Sequence, residues 1–175
     1  MAIQDILTFT GVAFSVLFPL INPIGGVPAF SGLTAHDTPD FRNAQARKIA
    51  INVFIILITF LLIGKLLLEL FGISLGVLQI AGGLIVANTG WQMVNSKADD
   101  EKEKASKVEN VDISFMPMAM PILSGPGAIG AVIGMSTNAK HIEDYVGFVI
   151  GIFLIGLVTY LFLILSIPLM KKLGS

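Results

Sequence analysis

Three stretches of this chain, Ile49–Phe71, Ile73–Val94 and Tyr145–Met170, stay apolar for about the 20 residues that a bilayer crossing requires. Hydrocarbon offers no partner to a free backbone N–H or C=O, so such segments must satisfy their backbone internally, as helices do. The expected fold class is therefore all-α, a polytopic transmembrane helix bundle. Composition agrees: 54% of the 175 residues are hydrophobic and 13% are charged, with a mean hydropathy of +0.84. A soluble domain carries roughly twice that charged fraction. A net charge of −1 leaves no basic surface for nucleic acid. Cysteine is absent, which excludes disulfides and thiolate metal sites and leaves the compartment open.

Two further apolar segments contain helix breakers, and the two look alike. One reads Phe18-Pro19-Leu20-Ile21-Asn22-Pro23-Ile24-Gly25-Gly26, the other Met120-Pro121-Ile122-Leu123-Ser124-Gly125-Pro126-Gly127. Each has Pro, two aliphatics, a small polar residue, then Pro and Gly. Irregular backbone at membrane depth survives only inside protein or against a wet cavity. A matched pair of interrupted helices in the two halves of a chain points to a transporter binding site.

The pattern predicts five spans: Ile6–Leu33 (broken near Asn22–Gly26), Ala44–Leu70, Ile73–Val94, Ser114–Ser136 (broken near Ser124–Gly127) and Asp144–Met170. Gly72 leaves room only for a tight turn between the second and third. The stretch Asn95–Asp112 is dense in Lys, Asp and Glu and poor in apolar residues, so it reads as a solvated linker. It divides the chain into a first repeat, residues 1–94, the charged loop, 95–112, and a second repeat, 113–175. No Lys or Arg precedes Arg42. The first segment thus lacks the positive flank of a cleavable signal peptide and is expected to remain as a span.

Orientation follows from the basic residues. Arg42, Arg47 and Lys48 follow the first span, Lys97, Lys102, Lys104 and Lys107 the third, and Lys171 and Lys172 the fifth; only Lys65 and Lys140 fall on the other side. The side rich in Lys and Arg is the cytoplasmic one. This places the N-terminus outside and the charged loop on the cytoplasmic side. Three spans separate the two breaks, so the second half is inverted relative to the first. A 3+3 inverted repeat calls for a sixth helix, which the sequence after Lys172 does not supply.

Asn22-Pro23-Ile24-Gly25-Gly26-Val27-Pro28-Ala29-Phe30 resembles the signature of the MarC family, also called the SnatA-like small neutral amino acid transporters. Phe71-Gly72-Ile73-Ser74 with Ile80-Ala81-Gly82-Gly83-Leu84-Ile85-Val86 is similar to its third-helix motif. Ala119-Met120-Pro121-Ile122-Leu123-Ser124-Gly125-Pro126-Gly127-Ala128-Ile129 is similar to its fourth-helix motif. The resemblance implies a six-helix prokaryotic inner-membrane protein, in a family with glycine and alanine transport shown or proposed for some members. The chain departs from the family at Gln79, where many members have Arg, and in the absent last helix.

The breaks themselves suggest a chemistry. A half-helix that starts inside the membrane turns its free N–H groups and positive dipole end into the break, where an amino acid carboxylate can bind. Gly25, Gly26, Gly125 and Gly127 leave the backbone open to approach. Pro23 and Pro126 fit helix starts. Asn22 and Ser124 can cap those starts and touch ligand. A cavity lined by Gly and Ala favours glycine, alanine or serine. These eight residues, with Asn88, are the candidate substrate-binding set. The competing reading is that the breaks are packing kinks, since Pro and Gly are common in membrane helices.

Asn88 and Gln92, and Asn52 and Thr59, share helix faces; they line the cavity or hydrogen-bond between helices. Gly72-x-x-x-Gly76, Gly130-x-x-x-Gly134 and Gly147-x-x-x-Gly151 read as packing motifs. Lys65 and Glu69, one turn apart, are expected to pair or to snorkel to the interface. The absence of a core carboxylate hints at sodium held by carbonyls or at no coupling, and the coupling ion stays open between Na+ and H+. No cofactor is expected; His36 and His141 stand alone. No hydrolase or nucleotide-binding motif is present, and no enzyme activity is expected. Three functions remain: a carrier of small neutral amino acids, a non-transporting assembly protein, and an exporter or channel for another small solute.

Overall fold

The computed structural model describes residues 2–95 and 111–166, and these are helical without a strand among them. Helix α1 covers Ala2–Ile21, α2 Pro23–Leu33, α3 Pro39–Phe71 and α4 Leu75–Asn95. After the charged loop an irregular wide-turn segment, Ser114–Leu123, leads into α5, Pro126–Asn138, and α6, Ile142–Ile164. The linker expected over 95–112 lies mostly outside the described residues, as do Lys171 and Lys172.

Helices α1, α3 and α6 are each long and apolar enough to cross a membrane, and Ser114–Leu123 with α5 forms a pair bent by 70°, with the length and apolarity of a broken span or a re-entrant loop. This is a polytopic helical membrane bundle. The first expected span divides at Asn22, and α1 alone has crossing length. The expected span over 73–94 is α4, which contributes a shorter apolar stretch, Leu75–Asn88.

Helices from the two halves interleave. Helix α6 packs along α1 and also against α3, while α3 reaches α5 and the irregular segment. The α1–α6 contact is close because of glycine. An added Cβ on Gly147 would lie 2.6 Å from Phe9 Cβ, and one on Gly151 2.6 Å from Ala13 Cβ and 2.9 Å from Thr10 O. Thr10 Oγ1 donates to Gly147 O across 3.1 Å of that seam. Small residues that let backbones approach are the usual adhesive between membrane helices, where lipid cancels the hydrophobic drive. Leu17, Ile21, Phe30, Leu57, Leu61, Met118, Leu123 and Ile152 fill the centre and are almost wholly buried.

Some polar expectations change. Gly72 is not a packing residue: it ends α3 in the left-handed conformation, φ 63°, and an added Cβ there would meet nothing within 4 Å. Its role follows from the αL stop that glycine permits. Lys65 and Glu69 are both exposed and form no ion pair with each other; the ion pair found among the described residues is Lys48–Asp112, 2.7 Å. Asn52 Nδ2 donates to Ser114 Oγ at 3.3 Å, and Thr59 Oγ1 to Ile55 O within its own helix. Asn52 thus serves as an interhelical tie.

Candidate functional site

The two breaks meet. A cavity of about 630 Å³ is lined from the first by Asn22, Gly25 and Gly26, and from the second by Gly125, Pro126 and Gly127. Leu20, Ala29, Ile122 and Ala128 extend these walls, and Ile85, Val86 and Gly90 of α4 close a further side. A volume of this order suits a small-molecule pocket. An apolar cleft of about 530 Å³ between α1, α4 and α5 adjoins it, sharing Leu20, Val86 and Gly127.

The first break is capped by its own side chain. Asn22 takes φ 48°, ψ 64°, the left-handed region that Asn tolerates better than most residues. Its Oδ1 accepts from Gly25 N at 3.0 Å, and its backbone O accepts from Gly26 N at 3.1 Å. Pro23 is the first helical residue and is buried; it has no N–H to lose. The N–H of Ile24 is the remaining early donor of α2, and Ile24 is 56% exposed, away from the cavity lining.

The second break differs. Met116 and Met120 take strand-like dihedrals, and the Met116–Pro117 and Met120–Pro121 peptide bonds are cis. Gly125, not Ser124, is the N-cap of α5, and no side chain caps that helix. The cap role expected of Ser124 is therefore corrected. Ser124 N donates instead to Ala119 O at 2.8 Å, and its fully buried Oγ has no partner among the described residues. The first intrahelical bond of α5 runs from Ile129 N to Gly125 O, 3.1 Å. The N–H groups of Gly127 and Ala128 precede it, and both residues line the cavity.

The glycines answer to packing as well as to access. A Cβ on Gly25 would overlap the Asn22 amide, one on Gly26 would stand 3.0 Å from Leu123 Cδ2, and one on Gly127 would overlap Val86 Cγ2. On Gly125 it would stand 3.0 Å from Pro121 O. Asn88 does not join the cavity; it is exposed on α4. The side chain of Gln92 lies outside the described residues. Ala29, Ala128, Ile85 and Val86 stand in the quoted motifs but not in the candidate binding set, because nothing local distinguishes an aliphatic residue facing a cavity from one facing lipid.

One buried carboxylate belongs elsewhere. Asp144, 5% exposed, accepts from Lys140 N at 2.8 Å and His141 N at 3.1 Å, and so closes the turn before α6.

Comparison with known proteins gives a family. The profile described as MarC family integral membrane protein matches residues 7–175. The membrane protein YvbG of Bacillus subtilis (strain 168) is 38% identical over 168 residues, covering 93% of this chain and 79% of the relative. A membrane protein of Pyrococcus abyssi is 34% identical, covering 97% of this chain and 83% of its own length. The inner membrane protein MarC of Citrobacter koseri is 37% identical over 155 residues, 84% of this chain and 70% of the relative. No solved structure matches.

Proposed function

Since the chain belongs to the MarC family of integral membrane proteins, we propose that it carries small neutral amino acids such as glycine and alanine by alternating access at the paired breaks. The observation that carries this reading is the shared cavity, whose lining includes Gly127 and Ala128 in the first turn of α5, a helix start that no side chain caps among the described residues. A carboxylate docks on that end of α5, where donors and helix dipole favour negative charge. At the α2 end Asn22 already engages the N–H groups of Gly25 and Gly26 and Ile24 lies outside the lining, so that end shapes the cavity instead of competing for the anion. Leu20, Ala29 and Ile122 leave an apolar wall suited to a hydrogen or methyl side chain. In this reading the breaks lie near the bilayer midplane, the two halves form an inverted pair, and the charged loop is cytoplasmic. Reconstitution with labelled glycine and alanine, with and without a sodium or proton gradient, tests it. Uptake above empty liposomes supports transport; background counts under every gradient refute it.

A second reading, a non-transporting membrane protein whose breaks are packing features, is favoured by the tight surroundings of Gly25, Gly26 and Gly127. It expects no stabilisation of the purified protein by glycine or alanine at any concentration.

A further inference from the structure

A groove of about 330 Å³ runs between α3 and α6 and shares no lining residue with the cavity at the breaks. Glycine opens it: an added Cβ on Gly156 would stand 3.6 Å from Ala50 O and 4.0 Å from Phe54 Cβ. Phe54 and Phe153 meet edge to face, with ring centroids 6.3 Å apart. These contacts pair Ala50 with Gly156 and Phe54 with Phe153, so the two helices run antiparallel here. Arg47 on α3 then comes level with Tyr160 on α6, both in the groove's lining. From that end to the phenylalanine pair is seven residues on each helix, about 10 Å. The walls between are apolar and outward-facing: Ile51 is 48%, Leu157 44% and Phe153 56% exposed.

The polar end carries a cation with no ion-pair partner among the described residues. Lys48 donates to Asp112 at 2.7 Å, whereas Arg47, its exposed neighbour, forms no ion pair among the described residues. An Arg with no ion pair among the described residues, at the head of an apolar furrow whose lining also includes a tyrosine, matches the chemistry of a lipid at a membrane interface: tail in the furrow, anionic headgroup on the guanidinium.

We propose that this groove is a phospholipid site, with an acyl chain lying along Ala50, Phe54, Phe153 and Leu157 and an anionic headgroup on Arg47. The occupant is a lipid and not a second copy of the chain because the charge in the groove's lining among the described residues, Arg47, calls for an anion, and neither α3 nor α6 offers an acid beside it.

Native mass spectrometry of the detergent-solubilised full chain tests the proposal, with phosphatidylglycerol and phosphatidylcholine of the same acyl composition. The wild type should retain one phosphatidylglycerol in preference to phosphatidylcholine. Arg47→Gln should lower phosphatidylglycerol affinity about fivefold, the effect of removing one basic residue facing an anionic headgroup, and lower the affinity for zwitterionic phosphatidylcholine less, so that the preference between the two narrows. Leu157→Trp, at an exposed position, should fill the groove and reduce both lipids. Lys65→Gln, which removes an exposed basic residue elsewhere on α3, should change neither. Wild-type lipid retention by Arg47→Gln, or an equal loss in Lys65→Gln, overturns the site. A dimer that Leu157→Trp dissociates would also overturn it, by showing that a second copy covers the groove. Unfolding temperatures of the variants identify any that have lost the fold, and Arg47→Gln alters only an exposed side chain.

Discussion

Leu123 Cδ2 lies 3.0 Å from the point where a Cβ on Gly26 would stand. This contact joins the breaks across almost a hundred residues of sequence, and it makes Gly26 a spacer between them. Gly26→Leu should wedge the breaks apart and cost about 1–3 kcal/mol, the usual penalty for overpacking. Leu123→Ala in the same chain should recover part of that loss, although each change alone is destabilising. Thermal unfolding of the four proteins in detergent gives the cycle; strictly additive effects would show that the contact carries no coupling.

Gly125 adopts extended backbone, φ −69° and ψ 173°, that any residue accepts. Gly125→Asp would place a carboxylate at the uncapped start of α5, where Asp is a favoured cap. The introduced Cβ needs only a small adjustment from Pro121 O, 3.0 Å away. We expect a folded protein whose thermal response to glycine is weakened about tenfold or more, the worth of a charge-assisted hydrogen bond. An undiminished response would separate the ligand from this helix end.

The seam between α1 and α6 supplies the contrasting case. Gly151→Leu drives a side chain into Ala13 and the Thr10 carbonyl, none of which belongs to the cavity lining. It should lower the unfolding temperature, while the fraction that remains folded keeps its affinity for glycine in equilibrium binding. Loss of affinity without loss of stability would contradict the division of roles between the two regions.

Asp112 gives a pH dependence. The Lys48 ammonium, together with Ser114, holds its carboxyl well below the ordinary value of 3.8. A depressed folded-state pKa contributes stability that is present above the unfolded value and is lost as pH falls through the folded one. Asp112→Asn should therefore be slightly less stable than the wild type from pH 7 down to about 4, with the gap closing at lower pH. Because both side chains are about half exposed, the gap should stay within about 1 kcal/mol. Unfolding midpoints across that range would register it; a gap that widens on acidification has the wrong sign.

Topology is open to a direct assay. Single cysteines at positions 106 and 138 can be probed on intact cells with an impermeant thiol reagent. Asn138, exposed at the end of α5, should label and position 106 should not. The reverse pattern would invert the assignment drawn from Lys and Arg.

Sequence alone settled the solvent: apolar runs of bilayer length leave the chain nowhere to reside but a membrane. It also located both breaks, because Pro at a helix start and Gly beside it act locally, through a missing N–H and a missing Cβ. Asn22 was legible as a cap for the same reason, since its bond to Gly25 spans only three residues. Ser124 was not. Whether a serine caps the following helix depends on its backbone angles, and the irregular segment before it turns its N–H back to Ala119.

Tertiary structure decided what the breaks face. That Leu123 touches Gly26, that Val86 closes the cavity while Asn88 stays outside, and that Arg47 heads a groove follow from how helices distant in the chain pack together. Such contacts depend on side-chain volume and crossing geometry summed over the whole bundle. No short motif encodes that sum, and an aliphatic residue reads the same against lipid, cavity or core.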